Sequence, residues 1–414
     1  MWTKKGSGSV KAGVLLIFLS FVLENLALLN LGTILLAFVS VNLFFTGRSV
    51  NIEIVRRVDQ EKIFEGGIIN VTLTIKNKGV GINYLELFDE VPKELKIIGG
   101  TNHAFLRLGT HQIKHLTYTV QGEMRGYHYF KKVRVRRYNL FFLSYTTHSY
   151  DVPTFVAVFP KVSELKTFPI RTRYPRIFQG AVATRKIGEG SNFHSIREYV
   201  PGDPYKKINW KAFSRTQRLM VNEYEREDLL DVMIVVEATK YTAIPNMADN
   251  PIDYSARVAA AVANFFINRR DHVGVCIYSR KVVYIPQESG SKQFHKILNA
   301  LASMYPAGQI RFGSVAEILI RHFTPKSPII IISSLVNDET LTTGMRELAA
   351  HGFEVICISP DIAMFLVHVS EMDAHIIQEE RKAIISKIKS YGVRVVNWDP
   401  HEPIEVAVML GLAK

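Results

Sequence analysis

The chain has 414 residues, 47% of them hydrophobic and 21% charged, with 51 Lys and Arg against 38 Asp and Glu, for a formal charge of +13. A chain this long and apolar can bury a core in two or three domains, which excludes intrinsic disorder. Its two cysteines, Cys276 and Cys357, lie in separate apolar runs. That excludes a disulfide scaffold and a cysteine-rich zinc module, and reads as core thiols in a reducing compartment. Most of the excess charge, +9, falls in residues 161–222.

From Val14 to Phe45 the only charge is Glu24. One helix of that length would reach about 48 Å, against a hydrocarbon core of about 30 Å. A transmembrane hairpin is therefore expected within residues 1–49, turning at the polar cluster Glu24, Asn25 and Asn30 followed by Gly32. Lys4, Lys5 and Lys11 precede the stretch, and Arg48, Arg56 and Arg57 follow it. With no basic residue in the turn, both ends and the soluble domains are expected on the cytoplasmic side of the cell membrane. A cleaved signal peptide would need a small-residue site after a short apolar core, and a single tilted helix would leave Glu24 near mid-bilayer.

Residues 50–160 alternate with period two in Ile69–Asn77, Tyr84–Pro92, His115–Gly122 and Lys131–Tyr138, separated by glycine-containing turns such as Glu65-Gly66-Gly67 and Arg125-Gly126. Strands of this length and spacing predict an immunoglobulin-like β-sandwich. No titratable cluster with catalytic spacing stands out, so the region reads as structural or protein-contacting. The sequon Asn70-Val71-Thr72 falls inside a predicted strand.

The basic segment, residues 161–228, contains Pro201-Gly202-Asp203-Pro204. That turn predicts Asp203 as a helix N-cap with Pro204 at the first helical position. A helix from Pro204 to about Ser214 would place Tyr205, Ile208 and Ala212 on one apolar face and Lys207, Lys211 and Arg215 on another, with Trp210 between them to cover the basic stems. A strand carrying Leu219, Val221 and Tyr224 should follow. Gly188, Gly190, Phe193, Arg197, Tyr199, Pro201, Gly202, Asp203, Ile208, Trp210, Lys211 and Arg215 together resemble the hallmark of the domain of unknown function 58 family, with Asn209 where that family commonly has Asp. Asp89-Glu90-Val91-Pro92 and Arg125-Gly126 extend the resemblance upstream. Arg197 and Arg215 could be spent on ion pairs with Glu198 and Glu223. Alternatively, Arg197, Lys207, Trp210, Lys211 and Arg215, on a loop shaped by Asp203, form a partner-binding surface.

In residues 229–414 the apolar runs Asp231–Glu237, His272–Ser279, Pro328–Ser334, Phe353–Ser359 and Val393–Trp398 alternate with helical stretches. Continuous apolar runs predict strands buried on both faces of a doubly wound, mostly parallel α/β sheet, whose ligands bind at strand carboxyl ends. This part resembles a von Willebrand factor A-like domain. There an Asp-x-Ser-x-Ser run after the first strand, with a later Thr and Asp, holds a divalent cation such as Mg²⁺ through oxygen ligands. Here the corresponding positions are Glu237, Thr239 and Tyr241, then Ser314 and Ser334, with Lys240 adding a competing cation. So many ligand changes make the site degenerate, and no cofactor is expected.

No His-Glu-x-x-His, Gly-x-Ser-x-Gly or phosphate-binding glycine motif occurs. His194 and Glu198 could form a helical i, i+4 acid–base couple, but surface pairing or packing accounts for them as well. An enzyme is therefore not expected, and an envelope-associated hydrolase with an unrecognised active site is the alternative. Membrane lipid is one partner suited to the basic segment. The lack of an aromatic-interleaved basic repeat argues against nucleic acid. The family resemblance implies a scaffold or adaptor working with a MoxR-type AAA+ ATPase in the assembly or maturation of protein complexes or the cell envelope.

Overall fold

The structure is a computed structural model that describes residues 2–46, 50–170, 183–227, 229–243, 250–323, 325, 327–336, 338–362 and 371–412. Within the described elements, the side chains of 43–46, 183–194, 224–227, 371 and 373 fall outside the description. The chain divides into two compact units, Met1–Val158 and Phe159–Lys414. The basic segment, read above as its own region, belongs to the second unit.

The first unit opens with an antiparallel helical pair, α1 (Lys4–Val22) and α2 (Leu26–Thr46). α1 is long and apolar enough to cross a membrane, whereas the apolar part of α2, Leu26–Asn42, is shorter. The reversal sits at Leu23–Asn25. Glu24 takes the left-handed conformation (φ 47°), and Asn25 Oδ1 accepts from Ala27 N at 3.0 Å to cap α2. Asn30 and Gly32 are not in this turn but inside α2. Gly32 serves close packing instead: a Cβ there would lie 2.7 Å from Ile17 Cγ1, and one at Gly13 would lie 2.8 Å from Leu36 Cδ2.

Nine strands follow: β1 (Ile52–Val58), β2 (Lys62–Phe64), β3 (Ile68–Asn77), β4 (Ile82–Asp89), β5 (Leu95–Gly100), β6 (His103–Leu108), β7 (Ile113–Gly122), β8 (Gly126–Tyr138) and β9 (Tyr145–Phe159). They form two antiparallel sheets, ordered β1-β3-β7-β5 and β2-β9-β8-β4-β6. Alternation along each strand sends every second residue inward. Leu73 and Ile75 of one sheet thus pack with Leu85, Leu87, Val133 and Val135 of the other. Arg56, read from sequence as a membrane-flanking cation, is instead buried between the sheets against Asp89. Its place on the inward face of β1 removes it from any headgroup contact.

The second unit begins with a two-stranded ribbon of β10 (Ala183–Glu198) and β11 (Met220–Glu227), joined through the short helix α3 (Trp210–Thr216). A six-stranded sheet follows, ordered β14-β13-β12-β15-β16-β17. Its strands are β12 (Asp231–Glu237), β13 (His272–Tyr278), β14 (Val282–Glu288), β15 (Pro328–Ile332), β16 (Glu354–Pro360) and β17 (Arg394–Trp398). All pairs are parallel except β13 with β14. Between them run α4 (Pro251–Asn268), α5 (Ser291–Ser303), α6 (Phe312–His322), α7 (Thr340–Ala350), α8 (Glu371–Ser390) and, at the end, α9 (Ile404–Leu412). The continuous apolar runs are β12, β13, β15 and β16 in the middle of the sheet and β17 at its edge, and β15 is buried along its whole length. β14 and α9 are additional to the elements that the sequence pattern picks out.

Candidate functional site

Two places carry the residues singled out above. The first is the connection between β10 and β11. It does not form one helix from Pro204: Tyr205–Lys207 make a single 3-10 turn, and α3 starts only at Trp210. Ile208 between them is extended, bridges Val221 and is buried, while Asn209 N donates to Met220 O at 2.8 Å. Pairing with β11 therefore breaks the helix in two. The cap of α3 is Asn209, whose Oδ1 accepts from Ala212 N at 2.9 Å.

Asp203 is not the cap. Its carboxylate takes a two-pronged contact from Arg197, Nη1 to Oδ2 at 2.6 Å and Nη2 to Oδ1 at 2.7 Å, and accepts from Val200 N at 2.9 Å. The Arg197 hydrogen bonds, with the Val200 amide, hold the Asp203 carboxyl down at about 2. Arg197 also donates from Nε to Glu223 Oε1 at 2.9 Å and from Nη1 to Glu198 O at 3.0 Å. Its guanidinium is thus committed inside the ribbon, where it fixes the Val200–Asp203 turn against β11. Glu198 pairs with Arg218 at 2.9 Å, so the expected Arg215 pairings with Glu198 or Glu223 do not form.

Three of the remaining hallmark residues face solvent. Lys211 and Arg215 are exposed on α3, and Trp210 is 63% exposed, meeting Phe213 edge-on at 6.2 Å. Tyr205, expected on the apolar face, is 76% exposed and stacks on Tyr199 at 6.2 Å, while Lys207 is partly buried and Lys206 is exposed. His194 and Glu198 both lie on β10, so no helical couple exists, and four extended residues span about 13 Å. The His194 side chain lies outside the described residues.

The second place is the carboxyl end of β12. Glu237 is buried, with Oε1 accepting from Thr239 Oγ1 at 2.7 Å. Its Oε2 accepts from Ser333 Oγ at 2.7 Å and from Ser334 N and Oγ at 3.1 Å each. Burial pushes the Glu237 carboxyl up, and the hydroxyl and amide donors oppose that rise. Of the five degenerate positions, Glu237, Thr239 and Ser334 come together. Tyr241 is drawn to Gln309, its hydroxyl 3.3 Å from Oε1, with Lys240 Nζ lying 5.0 Å from the Tyr241 ring centre. Ser314 is exposed in the first turn of α6 and does not line the site. Ser333 is a partner that the motif comparison passes over, because it precedes the matched position.

In front of Glu237 opens a cleft of about 650 Å³, lined among others by Thr239, Arg311, Asp338, Glu380 and Lys387. Asp338 also closes the start of α6, accepting from Phe312 N at 2.7 Å. Behind lies Arg381 of α8, buried, donating from Nη1 to Ser334 O at 2.8 Å and Pro360 O at 2.7 Å, and from Nη2 to Asn397 Oδ1 at 2.6 Å. The Glu237 oxygens thus accept four hydrogen bonds, one from Thr239, one from Ser333 and two from Ser334. Among the described residues, no group of three or more His, Cys, Asp and Glu side chains is placed to hold a metal ion.

Residues 195–359 match the family model described as protein of unknown function DUF58. The matched residues run from the end of β10, through the Arg197–Asp203 turn and Glu237 itself, to β16. Over 253 residues the chain is 21% identical to the uncharacterized protein YeaD of Bacillus subtilis (strain 168), covering 60% of this chain and 61% of that one. The chain therefore spans about three fifths of that relative's length. Among solved structures, it is similar to the CARDB domain of the PF1109 protein from Pyrococcus furiosus, with TM-score 0.19, 13% identity, and coverage of 27% of this chain and 96% of that one. It is also similar to proximal thread matrix protein 1 of the mussel byssus, with TM-score 0.31, 16% identity, and coverage of 45% and 48%. Likenesses this distant carry no argument about function.

Proposed function

We propose that this chain is a membrane-anchored, cytoplasm-facing scaffold or adaptor. Its helical hairpin would lie in the cell membrane, and the DUF58 region would present the contact surface. The observation that carries this reading is the division of charge around α3. Among the described residues, Asp203 and Glu223 pair with Arg197 and Glu198 pairs with Arg218, while Lys206, Lys211 and Arg215 are exposed beside Tyr205 and Trp210. Exposed aromatics among cations are the composition of an interaction hot spot for an acidic partner. The reading takes the six-stranded domain as a von Willebrand factor A-like scaffold whose strand-end site has turned structural. The kind of partner, a MoxR-type AAA+ ATPase acting in assembly or maturation of complexes or the envelope, comes from the family resemblance alone.

The test is capture from solubilised membranes, with and without ATP, comparing wild type with a Lys206→Glu, Lys211→Glu, Arg215→Glu variant of equal thermal stability. An AAA+ ATPase recovered by wild type and lost by the variant is the expected result. Equal recovery by both would move the contact away from α3, and recovery by neither would remove the adaptor reading.

A further inference from the structure

The connection between β8 and β9 carries Leu140-Phe141-Phe142-Leu143, an apolar run where a hairpin normally has polar turn residues. Leu140 is 58% exposed and Phe141 50% exposed. The loop backbone is built to hold them outward. Asn139 Oδ1 accepts from Leu143 N at 2.8 Å, Phe142 N donates to Asn139 O at 3.1 Å, and Phe142 takes φ of 58°. Phe142 turns the other way, its ring 4.6 Å from that of Tyr84 and 5.5 Å from that of Tyr138, and Leu143 is buried. The two exposed side chains are thus displayed from a rigid aromatic base.

The same loop grips both helices of the N-terminal pair. Thr3 N donates to Leu143 O at 3.0 Å, and Thr3 Oγ1 donates to Phe142 O at 2.6 Å. Gly6 permits that approach, since a Cβ there would fall 2.0 Å from Leu143 O. On the other helix, Phe38 meets Phe141 edge-on at 4.9 Å. A cavity of about 550 Å³ lies between loop and helix, lined by Phe38, Val41, Tyr84, Leu140 and Phe141, with Asn42 and Arg137 among its polar members. Phe141 therefore sits beside the apolar stretch of α2, level with the first turns of α1, and Trp2 nearby is itself part-exposed.

We infer that the Asn139–Ser144 loop is a membrane-interfacial anchor. Leu140 and Phe141 enter the boundary zone of the same bilayer leaflet that receives the helix ends, and the cavity they line takes lipid acyl carbons. The occupant is lipid because the patch is continuous with helix surface that is exposed and apolar, and aromatic residues concentrate at this depth. The consequence is mechanical: the sandwich is clamped to the membrane surface in one orientation by contacts at both helices. This inference rests on the reading that the helical pair lies in a bilayer.

The test uses the full chain in phosphatidylcholine–phosphatidylglycerol liposomes, with an environment-sensitive nitrobenzoxadiazole label on single introduced cysteines and quenching by acyl-brominated lipid. Native Cys276 and Cys357 do not compete for label, because both are buried and burial pushes their thiols up to about 12. The labelled variants are Phe18→Cys on α1, Phe141→Cys on the loop, and Ile68→Cys at the opposite end of the sandwich, where β3 pairs with Gln121. Loss of emission at 18, a blue shift and partial loss at 141, and neither at 68 are expected. Loss at 18 with 141 behaving like 68 overturns the interfacial loop and leaves the anchor standing. If 18 is also unquenched, the anchor reading fails, and the loop proposal fails with it.

Discussion

Replacing Asp89 with alanine should destabilise the sandwich by about 3–5 kcal/mol, the cost of leaving a buried charge without its partner. Neither the Asp89 nor the Arg56 side chain is exposed. Asp89 accepts from Arg56 Nε at 3.1 Å, from Arg56 Nη2 in a tighter contact, and from the Tyr118 hydroxyl at 2.6 Å. Arg56 is held further by the Val152 carbonyl and lies 5.0 Å from the Phe130 ring centre. Since β1 and β7 belong to one sheet and β4 and β9 to the other, the cluster ties the two sheets together. Without Asp89, the Arg56 guanidinium would remain in the interior, where it cannot reach water without breaking the Val152 contact. For a unit of this size, each kcal/mol moves the melting temperature by about 2–4 °C, so a drop of about 6–20 °C is expected. The assay is pulse proteolysis in urea, scored by cleavage within residues 52–158, on wild type, Asp89→Ala, Arg56→Met and the double variant Arg56→Met/Asp89→Leu. The double variant should lose less than either single one, because it removes both charges and keeps the volume apolar. An Asp89→Ala loss below about 1 kcal/mol, or a double variant as unstable as the summed singles, would refute the argument.

The second unit gives a pH-dependent counterpart. Asp271 is fully buried, and burial pushes its carboxyl up to about 6, opposed by the Leu230 amide at 3.0 Å and by Arg269 at 3.5 Å. A carboxyl raised above its unfolded value binds more protons in the folded state, so its contribution to stability falls as pH rises from about 4 to 6 and stays low above that. Asp271→Asn should therefore be more stable than wild type by about 2–3 kcal/mol above pH 6.5 and equal to it near pH 4. Urea unfolding at several pH values checks this, and a gain that does not change with pH would contradict it. Asn209→Ala should cost about 1 kcal/mol by uncapping α3, whereas Asn209→Asp should keep the cap. Equal losses in the two variants, measured by thermal unfolding, would show that the cap is not what Asn209 supplies.

Much of the architecture is legible because burial imposes a period on the sequence. The alternation in Ile69–Asn77 and the unbroken apolar run Pro328–Ser334 mark strands buried on one face and on both, and the structure places strands at β3 and β15 accordingly. Elements with a weaker period escape. β14 lies at the sheet edge with half its residues facing out, and α9 is apolar on nearly all sides, so neither has a distinctive pattern. The single helix expected from Pro204 fails for a different reason. Ile208 is worth more as a strand partner of Val221 than as a helical residue, and such tertiary competition leaves no local trace. The fate of Arg56 is likewise invisible in one dimension, because it is settled by Asp89, 33 residues along the chain, whereas the Arg197–Glu223 pair is one that the sequence offers. Lys211 and Arg215, with helical neighbours only, stay exposed as their spacing suggests.

At the strand-end site a buried carboxyl is met by hydroxyl and amide donors of its neighbours. Ser334 stands between the buried Glu237 carboxyl and the buried Arg381: its amide and hydroxyl donate to Glu237, and its carbonyl accepts from Arg381. Arg381 also binds the Pro360 carbonyl and Asn397, so the ends of β16 and β17 are held by the same group, beside the loop that leaves β15. The cluster thus serves cohesion of the sheet's carboxyl edge.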